Sequence, residues 1–154
     1  MSELQVRIVE LEPMRVASFH GFGPSPEDIA WEKLATWARA KGILGDPQVH
    51  RIFGFNNPNP SPGSPNYGYE FWIVVGPDVE PEGDVAIKEF GGGMYAVAQS
   101  KGLEEIGPVW KSLVLWREDS KYGCGSHQWL EEHVGADEQS LEEITLDLHL
   151  PIAE

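Results

Sequence analysis

The feature that most constrains the fold of this chain is an internal repeat. Segments that begin at residue 6 recur 79 positions later, beginning at residue 85. The segment V-R-I-V-E at residues 6–10 recurs as V-A-I-K-E at residues 85–89. A turn and a second apolar segment opening with methionine follow in both places. The pattern W-x-x-L-x-x-W at residues 31–37 then recurs at residues 110–116. Because a fixed period indicates repeated supersecondary units, the chain is predicted to contain two copies of one βαβ-type unit.

The order of segments within each copy predicts the fold class. Alternating apolar residues are typical of half-buried strands, and the closing segment alternates over residues 143–150. With two helices and about eight strands, we expect an α+β fold of two pseudo-symmetric βαββ-type repeats. They should form an antiparallel sheet with both helices on one face and a ligand pocket on the open face. Repeat one is placed at residues 1–80 and repeat two at residues 81–154, within a single domain over residues 1–154.

Local signals give the bounds of the two predicted helices. Ser25, followed by proline and two acidic residues, is a helix start, and Gly42 ends that helix. The second helix is predicted to begin near Glu104 and to run to about Lys121, before Gly123. The tryptophans of both W-x-x-L-x-x-W patterns are interpreted as helix faces that pack on the sheet.

Charge and composition exclude several classes of protein. The formal net charge of −14 repels nucleic acid and anionic lipid and attracts cations, so we expect no nucleic-acid partner and no membrane association. A single cysteine, Cys124, forbids an internal disulfide and fits a reducing compartment. The acidic N-terminal residues do not resemble a signal peptide. A cytoplasmic location is therefore expected.

The strand predicted at residues 69–75 offers the first candidate binding site. If Tyr69 and the alternate residues after it face the helix, Glu70 and Trp72 point together from the opposite face. A carboxylate beside an indole suits a lipophilic cation through charge and cation–π contact. An exposed polar face with one aromatic residue is an equally good interpretation of this strand.

The second repeat offers the same pairing of residue types in Trp129 and Glu131, which share a face if the segment is extended. Pseudo-twofold symmetry would bring the two acidic-aromatic strands toward each other and make one site. Buried carboxylates need hydrogen-bond donors, and Tyr69 or Tyr95 could supply them.

Signals for metal or cofactor binding are weak. The five histidines lack the spacing of a zinc site, and no further cysteine forms a C-x-x-C pair with Cys124. The glycines at residues 91–93 lie between two predicted strands and so lack the helix N-terminus that cradles a phosphate. We expect no metal and no cofactor.

Four motifs in order resemble the GyrI-like, or AraC-type, effector-binding domain over nearly the whole chain. They are V-R-I-V-E-L-E-P-M-R-V-A; F-G-F-N-N-P before Y-G-Y-E-F-W; I-K-E-F-G-G-G-M-Y-A-V; and Q-W-L-E-E-H before L-H-L-P-I. The resemblance implies paired βαββ repeats whose open sheet face binds bulky aromatic or cationic compounds. It also implies a pocket glutamate in the L-E-E-H segment, which has His133 where tyrosine is usual, so either Glu131 or Glu132 could point inward.

Three functions follow from these residues and this resemblance. The first is a stand-alone protein that binds or sequesters hydrophobic, often cationic, aromatic molecules. The alternative is a hydrolase of cyclopropane-bearing genotoxins, with Glu131, Glu70 and Tyr69 as candidates for the catalytic roles. The third is a protein-binding adaptor such as a gyrase modulator; a protein partner and a homodimer are left open. The expected ligand-binding residues are Glu131, Glu70, Trp72, Tyr69, Trp129, Phe55 and Tyr95.

Overall fold

A computed structural model describes residues 5–43, 50–57, 62–81, 83, 85–133 and 145–154. The described residues form nine strands, two α-helices and one short 3-10 helix at Leu103–Glu105. In chain order these are β1 (Arg7–Leu11), β2 (Met14–Gly23), α1 (Pro26–Lys41), β3 (Ile52–Asn56), β4 (Tyr67–Val74), β5 (Ala86–Phe90), β6 (Gly93–Lys101), α2 (Ile106–Asp119), β7 (Gly123–Cys124), β8 (Leu130–His133) and β9 (Thr145–Ala153). None of the helices in this part of the chain is long and apolar enough to cross a membrane.

The chain divides into two compact units whose bounds differ from those of the sequence repeats. The first unit is residues 14–90, and the second is residues 1–13 together with 91–154. The difference arises at β1 and β5, the two strands that open the repeats in the sequence. β1 pairs with β6 of the second unit, whereas β5 pairs with β2 of the first unit. Each unit is therefore completed by the opening strand of the other repeat.

The first unit is an antiparallel sheet in the order β3-β4-β2-β5, with α1 on one face. The side chains of β2, β3 and β4 that face α1 alternate with those on the opposite face. The core between helix and sheet contains Ala17, Phe19, Ala30, Leu34, Ala38, Ile52, Tyr69, Phe71, Ile73 and Val75. The predicted helix-facing side of the strand at residues 69–75 is thus confirmed.

The second unit is an antiparallel sheet in the order β1-β6-β9-β8, with β7 also paired to β9 and α2 packed on one face. Its core consists of Ala96, Ala98, Leu113, Leu146, Leu148, Leu150 and Ile152. In the closing strand Leu146, Leu148 and Leu150 share the core beneath α2, as the predicted alternation requires, whereas residues 143 and 144 lie outside the described residues. Antiparallel strands with one helix packed on the sheet of each unit confirm the α+β fold class.

The helix ends show which local signals operate. α1 begins at Pro26 after Ser25, although the Ser25 side chain makes no capping hydrogen bond. Its C-cap, Gly42, has a φ of 72°, the left-handed conformation that glycine adopts at lowest cost. α2 ends at Asp119, slightly before the predicted Lys121, with Ser120 as its C-cap.

Candidate functional site

The face of the first unit that points away from α1 carries a buried carboxylate beside an indole. Alternation along β4 places Glu70 and Trp72 on this face, and Trp72 Nε1 donates a hydrogen bond to Glu70 Oε2 at 2.6 Å. The relative exposure is 3% for Glu70 and 7% for Trp72. The structure thus brings together the two residues predicted to act as a pair.

Four donors surround the Glu70 carboxylate. Ser18 Oγ and Lys88 Nζ both donate to Oε2 at 2.7 Å, in addition to Trp72, and Asn57 Nδ2 donates to Oε1 at 3.0 Å. Burial by itself raises the pKa of Glu70, but the hydrogen bonds from Lys88, Ser18, Trp72 and Asn57 outweigh it and lower the pKa below its ordinary value. Glu70 is therefore a buried carboxylate that keeps its charge, and the ammonium of Lys88 balances that charge.

Aromatic rings enclose this carboxylate. The Phe55 ring lies 4.9 Å from the Trp72 ring at 77°, and the Phe90 ring lies 5.5 Å from it on another side. Both phenylalanines are at most 9% exposed. Such tilted and edge-to-face contacts hold the indole in one orientation and so fix its N–H toward Glu70.

Tyr69 lies on the opposite side of the sheet from Glu70. It belongs to the core beneath α1, where its ring packs edge-on against Phe71 at 4.9 Å. Gly54 makes room for it, since a Cβ at residue 54 would overlap the Tyr69 hydroxyl. Although the sequence suggested Tyr69 as a donor for the site, the structure does not bring it together with Glu70 and Trp72.

In the second unit, the two neighbouring glutamates of β8 face opposite sides of the sheet. Glu131 Oε2 accepts a hydrogen bond from Trp110 Nε1 of α2 at 3.1 Å, and the Trp129 ring lies 5.3 Å from that of Trp110. Glu131 and Trp129 therefore share a face, as the sequence suggested, but it is the face that carries α2. Glu132 points away from α2.

Glu132 lies in a buried charged group on that other face. β8 and β9 are in register so that Glu132 is paired directly with Asp147, and the two side chains belong to residues only 7% and 6% exposed. His149, one alternation further along β9, has Nε2 3.7 Å from Glu132 Oε1. Asp147 in turn accepts hydrogen bonds from Arg7 Nη2 at 2.5 Å and Gln99 Nε2 at 3.1 Å.

Tyr95 of β6 adds an aromatic wall to this group. Its ring makes edge contacts with the rings of His149 at 5.4 Å and His127 at 4.7 Å, and its hydroxyl donates to the backbone oxygen of Gln128. Burial raises the pKa of the Tyr95 hydroxyl above its ordinary value. The predicted site residue Tyr95 thus lies on the same face as Glu132.

The sequence left open whether Glu131 or Glu132 points away from the helix, and it did not indicate that Ser18, Asn57 and Lys88 donate to Glu70. A signal for Asp147 and His149 was present, since they are the polar residues of a strand that is otherwise apolar. A cleft of about 450 Å³ on the first unit, beside Trp37 and Asp78, was also not predicted, and none of the predicted ligand-binding residues lines it. In the described part of the chain, no His, Cys, Asp and Glu side chains form a group that could hold a metal ion.

The fold and these faces define a duplicated α+β domain in which each sheet carries a helix on one side and a charged, aromatic group on the other. The chain belongs to the family of GyrI-like small molecule binding domains, whose model matches residues 4–151. It is therefore a small-molecule-binding domain. A comparison with curated proteins found no match.

Solved structures share this fold at low sequence identity. The crystal structure of the EcmrR C-terminal domain has a TM-score of 0.73 and 16% identity, covering 99% of both chains. In the EcmrR–DNA complex the match covers 98% of this chain but 58% of the EcmrR chain, so this chain spans little more than half of that protein. A structure described as a hydrolase from Listeria innocua has a TM-score of 0.69 and 12% identity, covering 97% of this chain and 92% of the other. SAV2435 bound to tetraphenylphosphonium has a TM-score of 0.52 and 13% identity, covering 98% of this chain and 94% of the other.

Proposed function

We propose that this chain binds hydrophobic, cationic aromatic molecules, and that Glu132 is the principal ligand-binding carboxylate. The observation that carries the proposal is the buried pair of Glu132 and Asp147 on the face of the second unit that points away from α2. Tyr95 and His149 supply rings beside this pair. A carboxylate next to aromatic rings, shielded from water, is the environment that favours a lipophilic cation.

Electrostatics supports a cation at this site. Like charges placed directly opposite each other on neighbouring strands destabilise a sheet, and burial increases the cost. Arg7 offsets part of the charge of Asp147, but its own side chain is 60% exposed and so its effect is screened by water. A bound cation would be attracted by both carboxylates, and the net charge of −14 would raise its local concentration.

A related fold supports the ligand class. SAV2435 is described as bound to tetraphenylphosphonium, an aromatic cation without N–H donors. Such a ligand needs a negative field and aromatic surface rather than hydrogen-bond acceptors in a fixed geometry. The group around Glu132 offers both of these features. The acidity of the chain likewise supports a small-molecule partner and argues against nucleic acid.

Two neighbouring glutamates provide the test. Binding of tetraphenylphosphonium is measured by isothermal titration calorimetry for the wild type, Glu132→Gln and Glu131→Gln. Glu132→Gln should weaken binding by at least about tenfold, which corresponds to about 1.4 kcal/mol, because it removes the charge nearest the cation. Glu131→Gln is the matched control: its side chain bonds to Trp110 on the helix side, so its effect should stay within about twofold. Equal weakening by both variants, or by neither, would overturn the proposal.

A hydrolase is the second candidate, and the structural similarity to a protein described as a hydrolase favours it. Glu131 and Tyr69, which the sequence suggested for catalysis, both lie on the helix-facing sides of their sheets. If turnover occurs, Glu132 is the better placed carboxylate, with His149 beside it to exchange a proton. Incubation with an electrophilic cyclopropane substrate, followed by chromatography, separates the two functions. Catalytic product formation that Glu132→Gln abolishes would favour the hydrolase, whereas stoichiometric capture would favour binding.

A further inference from the structure

On the first unit, Glu70 and its donors Ser18, Asn57, Trp72 and Lys88 form what we call the Glu70 group. This group already contains a cation, the ammonium of Lys88. Glu70 Oε2 accepts three hydrogen bonds, from a hydroxyl, an indole and this ammonium, all at 2.6–2.7 Å. Lys88 lies on β5 opposite Val16 of β2, so its side chain reaches Glu70 across the intervening strand. The three donors converge on one oxygen, and only the ammonium among them carries a charge.

Lys88 approaches this oxygen from the solvent side. The side chain of Lys88 is 46% exposed, whereas that of Glu70 is 4% exposed. A long, half-exposed lysine can turn into water at little cost, since a hydrated ammonium retains its hydrogen bonds. Glu70 has no such freedom, because its carboxylate is held by Ser18, Trp72 and Asn57.

The end of β2 opens the same face to solvent. His20 is paired in register with Glu70, and Phe22 lies one alternation further along the strand on the same side. His20 is exposed and Phe22 is 56% exposed, unlike the buried Ser18 that precedes them. His20 contacts the backbone oxygen of Asn57, whose side chain bonds to Glu70. His20 and Phe22 are therefore exposed side chains on the face that carries the buried carboxylate.

We propose that the Glu70 group is a second cation-binding site, selective for protonated primary amines, in which Lys88 is the resident competing cation. The selectivity follows from geometry: the position that Lys88 Nζ occupies lies 2.7 Å from Oε2, which requires an N–H donor. A quaternary ammonium or a phosphonium cannot donate and is too bulky to approach so closely. The proposal is independent of Glu132 and goes beyond the function proposed for the second unit.

Removing the resident cation should unmask the site. In Lys88→Ala the missing atoms match n-propylammonium, which has three carbons and one ammonium. The apparent affinity of a ligand equals its intrinsic affinity multiplied by the fraction of molecules in which the site is available. If Lys88 occupies the site about nine-tenths of the time, Lys88→Ala should bind n-propylammonium about tenfold more tightly than the wild type.

The experiment measures the melting temperature of the full chain against n-propylammonium concentration, with tetramethylammonium at equal ionic strength as the control salt. Lys88→Ala should melt below the wild type and recover along a saturable curve with n-propylammonium but not with tetramethylammonium. The double variant Glu70→Gln/Lys88→Ala should show no saturable recovery, while Glu132→Gln/Lys88→Ala should recover as the single variant does. The response of the double variant Glu132→Gln/Lys88→Ala separates this proposal from the function assigned to Glu132.

A second measurement applies to the wild type and needs no substitution. The indole N–H of Trp72 bonds to Glu70, so its ¹H–¹⁵N resonance should shift saturably as n-propylammonium replaces Lys88. Equal responses to n-propylammonium and tetramethylammonium, or a recovery that persists without the Glu70 charge, would overturn the proposal. An unmoved Trp72 resonance at millimolar to molar n-propylammonium would do the same.

Discussion

Replacing Glu70 by leucine should destabilise the protein far more than removing a surface carboxylate. The substitution leaves Ser18 Oγ, Trp72 Nε1 and Asn57 Nδ2 without their acceptor, while Lys88 can turn into water. Each buried donor left unsatisfied costs about 1–3 kcal/mol. Asn57 is exposed and can bond to water instead, whereas Ser18 is buried and packing against aromatic rings holds the buried indole in place. We expect a loss of about 3–5 kcal/mol, in the range for leaving two buried donors unsatisfied.

Chemical denaturation, followed by far-ultraviolet circular dichroism, measures this loss as a free energy of unfolding, and thermal denaturation measures it as a change in melting temperature. For a chain of this length about 1 kcal/mol lowers the melting temperature by about 2–4 °C, so the melting temperature should fall by about 6–20 °C. Glu89→Leu, on β5 of the same sheet, is the matched control, since its side chain is 71% exposed and pairs with Arg15 at the surface. It should change stability by no more than about 0.5 kcal/mol.

A double variant tests the physical reason for the loss. Adding Trp72→Phe to Glu70→Leu removes the indole donor that has lost its acceptor, and replacing both partners by apolar groups is nearly neutral. The double variant should therefore be less destabilised than the sum of the two single variants by about 1–2 kcal/mol. A cost below about 1 kcal/mol for Glu70→Leu, or strict additivity in the double variant, would refute this account of the Glu70 group.

Two further predictions concern pH and packing. Burial lowers the pKa of His133 from 6.5 to about 4, so the folded state favours the neutral ring. The free energy of unfolding should therefore fall by roughly 3 kcal/mol as the pH drops from 6.5 to 4. His133→Gln should remove that part of the decrease in pH-dependent denaturation curves. Gly54→Ala should cost about 1–3 kcal/mol because its Cβ would meet the buried Tyr69 ring, whereas Gly91→Ala, with open space around residue 91, should change the denaturation midpoint little.

Much of the secondary structure could be predicted from local sequence. The alternation of the closing strand and the helix signals at Pro26 and Gly42 depend on neighbouring residues, and all recur in the structure. Alternation also places Glu70 and Trp72 on one face of β4. It could not decide between Glu131 and Glu132, because adjacent residues face opposite ways and the pattern L-E-E-H does not indicate which side carries the helix.

The duplication, the α+β class and the pairing of acidic with aromatic residues could all be predicted from the chain, since each depends on spacing between residues. Which strands complete each unit depends on how the chain packs in three dimensions. β5 leaves the repeat that it opens in the sequence and pairs with β2, which brings Lys88 to Glu70. In the same way β1 pairs with β6 and its Arg7 bonds to Asp147. These contacts join residues far apart in the chain, so they depend on strand register and burial, which local spacing does not encode.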